Sequence, residues 1–212
     1  MTPAEIGGIV AMQGFAGLSL FSVLLLMALG LAIIFGQMGV INMAHGEFMT
    51  IGAYTIFGCS QLAALYLPSF QPYYFPIAIL VAFAIAFVVG YAAEYLLIRH
   101  LYQRPLDTLL ATWGLSLGMQ QIFRSSFGAK EVSPTLPDWL LGSVKPSESI
   151  DIPINGLFVM GLTLLVTGIV FLMLFRSRWG LRVRATVANR TMSNAIGIEN
   201  KKVDRLTFAV GC

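Results

Sequence analysis

Between Ile6 and Gly46 the chain carries no Asp, Glu, Lys or Arg. As α-helix that stretch would be about 60 Å long, roughly twice the ~30 Å hydrocarbon core of a bilayer. Three more uncharged runs follow, Phe48 to Ala93, Thr108 to Phe123 and Ile152 to Phe175. Only 11% of residues are charged, against about 25% in a soluble domain, so a water-facing surface cannot be covered. In lipid each backbone polar group needs an internal partner, which leaves helices as the economical solution. The expected fold is an all-α, polytopic transmembrane helical bundle, one membrane domain over residues 1–212, with about five full spans and the start of another.

The first span is expected near Leu18 to Phe35. Gly36, Gly39 and Gly46 then occur together with Gln37, Asn42, His45 and Glu47. Glycine weakens helix interiors, so Gly36–Glu47 is expected to be discontinuous or re-entrant. Pro68, Pro72 and Pro76 predict a turn between spans over Phe48–Leu67 and Pro76–Ile98, with Tyr66, Tyr73 and Tyr74 at headgroup level. Thr108–Phe123 is about 24 Å as helix, short for a span. Ile152–Phe175 completes the set. The apolar stub Leu206–Cys212 predicts a further span and a chain continued elsewhere. Met1-Thr2-Pro3-Ala4-Glu5 lacks the basic start of a cleaved signal.

The net charge is +3, yet eight of the thirteen Lys and Arg residues lie between Arg176 and Arg205. Basic loops beside apolar segments indicate the cytoplasmic side, and nucleic acid is not expected as a partner. The loop with Arg99 and Arg104 belongs to the same side. With five spans the N-terminus and the Arg124–Asp151 loop lie outside; a broken helix at Gly36–Glu47 would move the N-terminus inside. Two cysteines, Cys59 and Cys212, form neither a disulfide framework nor a metal cluster, and neither metal nor cofactor is expected.

The densest polar group in apolar sequence is Gln37, Asn42, His45, Glu47, Thr50 and Tyr54. A charge near the bilayer centre costs about 2.5–3.5 kcal/mol on insertion scales. Asn42, His45, Glu47, Thr50 and Tyr54 are therefore candidates to line a solute pathway at a helix break. Alternatively, His45 and Glu47 lie at an interface or in a helix first turn, where an acid is favoured. Glu94 is expected to reach the headgroups beside Arg99, with pairing to a basic residue or a pathway role as alternatives. Gln120 and Gln121 bond neighbouring helices or contact solute.

Other motifs carry less. His45-Gly46-Glu47 is half of a zinc-deaminase signature whose Cys half is missing. Gly114-Leu115-Ser116-Leu117-Gly118 has the hydrolase spacing but lies in a span, where it predicts close helix packing. Ser116 would then bond the backbone one turn back. No phosphate-binding Gly-Lys loop is present. Residues Ala185–Ile198 show helical apolar spacing at Val187, Met192, Ala195 and Ile198, with Gly197 as a stop. Such a helix lies on lipid, using Arg178, Arg182 and Arg184, or docks on a soluble partner.

The run Gly30–Phe48, including Gly36-Gln37-Met38-Gly39-Val40-Ile41-Asn42-Met43-Ala44-His45-Gly46-Glu47, resembles the signature of branched-chain amino-acid type ABC importer permeases. Arg104–Leu117, with Gln120-Gln121 and Phe127-Gly128-Ala129, resembles the urea-importing branch. The likeness extends over nearly the whole chain. It implies an inner-membrane permease subunit, not an enzyme, moving urea or alternatively branched-chain amino acids or short amides. A passive urea channel is the reading outside the class. The implied partners are a sister permease, ATP-binding cassette subunits and a periplasmic substrate-binding protein, besides membrane lipid and the small polar solute. In the cytoplasmic loop 176–205, the likeness assigns Ala185, Asn189, Ala195, Gly197 and Ile198 to ATPase coupling. Asn189-Arg190 replaces the acid often found there in the family.

Overall fold

The computed structural model describes residues 3–66, 73–102, 104–128, 132, 134, 136–147 and 150–212. Helices dominate: α1 (Pro3–Met38), α2 (His45–Tyr66), α3 (Tyr74–Leu96), α4 (Pro105–Phe127), a single turn α5 (Asp138–Leu141) and α6 (Ile154–Arg176). Three shorter helices follow, α7 (Arg178–Ala188), α8 (Arg190–Ala195) and α9 (Asn200–Gly211). A small antiparallel pair, β1 (Ser143–Ser147) and β2 (Ile150–Pro153), interrupts the mainly helical order of the described residues. The Pro68 and Pro72 part of the expected turn lies outside the described residues, as do Ala129 and Lys130.

Helices α2, α3 and α6 have 22, 23 and 23 residues, about 33–35 Å each, which matches the hydrocarbon thickness. Among the described residues four helical segments are long and apolar enough to cross a membrane, Ile6–Met38, His45–Tyr66, Tyr74–His100 and Ile154–Arg176. The fifth expected span exists as helix α4, but it falls short in hydropathy. Its residues Thr108, Thr112, Ser116 and Gln120 repeat every fourth position, so one face is polar from end to end. Helix α1 also starts at Pro3 rather than Leu18 and runs unbroken to Met38, because nothing before Gly39 forces a stop.

The chain divides into two compact units. One joins the first part of α1 to residues 136–171. There a Cβ on Gly156 would stand 2.7 Å from the Phe15 ring, so glycine lets α6 approach α1 closely. Thr163 donates to the Ser22 carbonyl at 3.3 Å, and Trp139 meets Phe158 edge-on. Leu164 and Leu165 are exposed, which lipid tolerates because its tails are as apolar as they are.

The other unit holds residues 29–135 and 172–212. Its core gathers Ile34, Met38, Val40, Ala44, Phe48, Ile51, Ala93, Ile98, Met119 and Phe208, and so sits around the end of α1. Helix α9 is wedged in by small residues. A Cβ on Gly30 would stand 2.4 Å from the Gly211 carbonyl oxygen, and one on Gly90 would stand 3.1 Å from Cys212. By contrast, a Cβ on Gly114 or Gly118 would meet nothing within 4 Å. The expected close packing at that pair is absent among the described residues; in this unit the glycines that allow close approach include Gly30 on α1, Gly90 on α3, Gly180 on α7 and Gly211 on α9.

The single helix expected over Ala185–Ile198 is two. Asn189 is extended (φ −159°, ψ 104°) and its side chain accepts from the Met192 N–H at 2.9 Å. An Asn that caps a new helix start competes with continuing the old one. Gly197 does end the segment. With φ 88° it takes the left-handed conformation, while the Ile198 N–H reaches the Ser193 carbonyl at 2.9 Å, the helix stop that glycine favours.

Candidate functional site

The chain between α1 and α2, residues 39–44, is non-helical. Gly39 at φ 63° turns it out of α1. Yet Val40, Asn42 and Ala44 are buried. Buried irregular backbone needs hydrogen-bond partners, and it finds them within the segment and on α4. The Ala44 N–H donates to Asn42 Oδ1 at 3.1 Å, the His45 N–H to the Asn42 carbonyl at 3.3 Å, and the Met43 N–H to Thr112 Oγ1 at 3.2 Å. Two polar atoms at the break stay without a partner among the described residues, Asn42 Nδ2 and Gln37 Oε1. Each such orphan costs about 1–3 kcal/mol.

Glu47, in the first turn of α2, accepts from Gln120 Nε2 at 2.7 Å and from Ser116 Oγ at 3.1 Å. Ser116 and Gln120 stand eleven and fifteen residues into α4, about 17–23 Å along its axis. Glu47 therefore lies beside the middle of α4, held by neutral donors. Ser116 serves the carboxylate rather than the backbone one turn back. Two turns along α2, Tyr54 stacks on Phe123 at 4.9 Å and lies 4.3 Å from Phe127, so Glu47 and Tyr54 share the α4-facing side. The remaining expected residues point elsewhere or inward. Thr50 donates to the Gly46 carbonyl of its own helix. The His45 ring lies against Gly30 of α1. Thr112 is a site residue that the sequence reading passes over, although the four-residue spacing of α4 is a signal that finds it.

A second polar group joins helix ends. Glu94 is fully buried and pairs with Arg205 Nε at 2.9 Å; it does not reach the headgroups, because Arg205 of α9 is packed over it. Arg205 also donates to the Tyr91 hydroxyl at 3.0 Å and lies 4.7 Å from the Tyr95 ring centre. The Tyr102 hydroxyl donates to the other Glu94 oxygen. Burial, then the adjacent carboxylate, pushes the Tyr102 pKa well up, so it stays a donor. Asp204 pairs with Arg190 and accepts from Gln37 Nε2 at 3.1 Å. Burial raises its pKa, while Arg190 and the Gln37 hydrogen bond pull it down.

The coupling candidates occupy the loop helices. Ala185 is half-buried on α7, its carbonyl accepting from the Asn189 N–H, while Ala195 and Gly197 are exposed and Ile198 is half-buried. Val187, Met192 and Ile196 are 53%, 63% and 69% exposed, apolar side chains left open. Asn200 accepts from Ser193 Oγ at 2.8 Å and from Thr186 Oγ1 at 3.4 Å, and donates to the Arg190 carbonyl at 2.8 Å. One buried amide thus pins α7, α8 and α9 together.

A family model described as the branched-chain amino acid transport system permease component matches residues 14–212. The high-affinity branched-chain amino acid transport system permease protein BraD of Pseudomonas aeruginosa is 32% identical over 203 residues, covering 92% of this chain and 64% of the relative. The corresponding LivH proteins of Salmonella typhimurium and Escherichia coli K12 are 29% and 28% identical, each over 94% of this chain and 66% of their own length. The chain therefore spans just under two-thirds of the length of these relatives. No solved structure matches it. With apolar helices of spanning length and a match over almost its whole extent, the chain belongs to the branched-chain amino acid transport permease family of multi-pass membrane proteins.

Proposed function

We propose that this chain is a permease subunit of an ATP-driven importer, and that solute passes the break at residues 39–44 along the polar face of α4. The observation that carries this is Glu47, held beside the middle of α4 by Ser116 and Gln120, five residues after Asn42, whose Nδ2 has no partner among the described residues. Hydroxyls, amides and one carboxylate offer weak, replaceable contacts, which favour passage over retention. The relatives named for branched-chain amino acids support a branched-chain amino acid as the solute, with Glu47 receiving its ammonium group. Urea is the second reading; the likeness of the Arg104–Leu117 block to the urea-importing branch favours it.

In this reading the basic segment 176–205 faces the cytoplasm and the exposed Val187, Met192 and Ile196 side chains dock an ATP-binding subunit, for which the chain has no phosphate loop of its own. A sister permease completes the pathway and a periplasmic binding protein delivers solute. The test is uptake by proteoliposomes holding the full-length permease, its sister and the ATP-binding subunits, with binding protein and labelled solute outside and ATP inside. ATP-dependent leucine uptake supports the importer and its solute. Urea uptake in place of leucine replaces the solute, and ATP-independent urea leakage through this chain alone replaces the importer with a channel.

A further inference from the structure

The loop helices and the break are joined by a short chain of charged and polar contacts. Asn200 fixes α7, α8 and the start of α9 to one another. From that body two side chains reach the membrane helices. Asp204, 2% exposed, holds Arg190 of α8 with one oxygen and Gln37 of α1 with the other. Gln37 stands two residues before Gly39, where α1 ends and the break begins. Arg205 holds Glu94 at the end of α3. Tyr102 ties the two pairs, donating to Glu94 while Arg190 lies 5.8 Å from its ring centre.

We propose that Asp204 is a positioning residue for transport: it passes displacement of the α7–α9 body to the end of α1 through Gln37, and so sets the break that carries Asn42 and Glu47. The Glu94–Arg205 pair moves the end of α3 with it. Buried pairs suit this task, because a carboxylate with two partners has few alternative geometries and a shift of one partner must be followed by the other. The exposed face of α8, with the Arg190 side chain 42% exposed against 4% for the Asp204 side chain alone, is the end open to an outside push. This inference rests on the importer reading above.

The experiment measures solute moved per ATP hydrolysed in the reconstituted full-length transporter, using leucine or urea, whichever the wild type moves. Asp204→Asn keeps an acceptor for Gln37 but loses the charge that holds Arg190. Gln37→Leu removes the other half of the link. Both are expected to assemble and to hydrolyse ATP within about twofold of wild type. Solute moved per ATP should fall at least about fivefold, the low end of a typical coupling between sites. The double variant should fall no further than either single one, and Asp204→Glu should restore most of the yield. Unchanged solute per ATP in both single variants overturns the relay while leaving the importer intact. Parallel loss of hydrolysis, assembly and transport also overturns it, since that is a purely structural role. A wild type that moves neither solute with ATP removes the importer reading and the relay with it.

Discussion

Glu47 and Glu94 are both carboxylates in strongly apolar helices, and their surroundings differ in kind. Glu94 is fully buried and meets a guanidinium and a phenol, so its charge is neutralised within the fold. Glu47 is half-buried and among the described residues meets a hydroxyl and an amide but no cation. On the function proposed above, the place a cation would take is where a solute meets Glu47. The largest effect should therefore follow from uncovering Glu94. Arg205→Met leaves a buried carboxylate without its cation, and breaking such a pair costs about 3–5 kcal/mol. Thermal unfolding in detergent should show a large loss, with most of it recovered in the double variant Glu94→Gln/Arg205→Met. A single variant as stable as wild type would erase the contrast.

Glu47→Gln tests the other side of the comparison. It removes a charge with no bonded cation among the described residues, so stability should hold or rise slightly, while transport falls roughly tenfold, as when a hydrogen bond to a charged group worth about 1.5–3 kcal/mol is lost. Transport at the wild-type rate with intact assembly would take Glu47 out of the pathway.

Packing sharpens the comparison without charge. The Glu94 region is closed by α9, which crosses α1 with Gly30 against Gly211. Gly30→Ala forces a Cβ into a backbone oxygen that cannot swing aside, and overpacking of this kind costs about 1–3 kcal/mol. Beside the Glu47 region, Gly114→Ala meets open space and should leave the unfolding midpoint unchanged or slightly higher, since alanine is the better helix former. Equal destabilisation at both positions would mean that Gly114 is covered in the assembled transporter.

Much of this contrast is legible in the order of residues alone. Uncharged runs mark the spans because lipid leaves a chain little choice, and the glycines around Gln37 and Asn42 announce the break. Glu47 is visible as a costly charge. What cannot be read is who answers it: Ser116 and Gln120 are 69 and 73 positions away, and a lone sequence contains no signal for that pairing. Glu94 is misplaced for the same reason, since Arg205 is 111 positions distant and Arg99 is the nearer cation along the chain. The α4 stripe is readable, because a polar residue every fourth position is a local pattern. The split at Asn189 is obscured because apolar spacing runs straight through a residue whose capping role lies in its own side chain.

The smallest effect concerns Asp204, which stands between the two cases: it has a cation, but an exposed one. Burial holds its carboxyl above the usual carboxylate range despite Arg190 and Gln37. A folded-state pKa raised above the unfolded value means that the native protein binds the proton more tightly. The stabilisation is present in full below the unfolded pKa and is lost as pH rises through the folded one. Lowering pH from neutrality toward that range should therefore raise the unfolding midpoint of the wild type relative to Asp204→Asn, which has no such proton to take up. A difference between the two that stays flat with pH, or runs the other way, would mean that the Arg190 charge outweighs desolvation and that Asp204 belongs with Glu94, as a fully compensated acid.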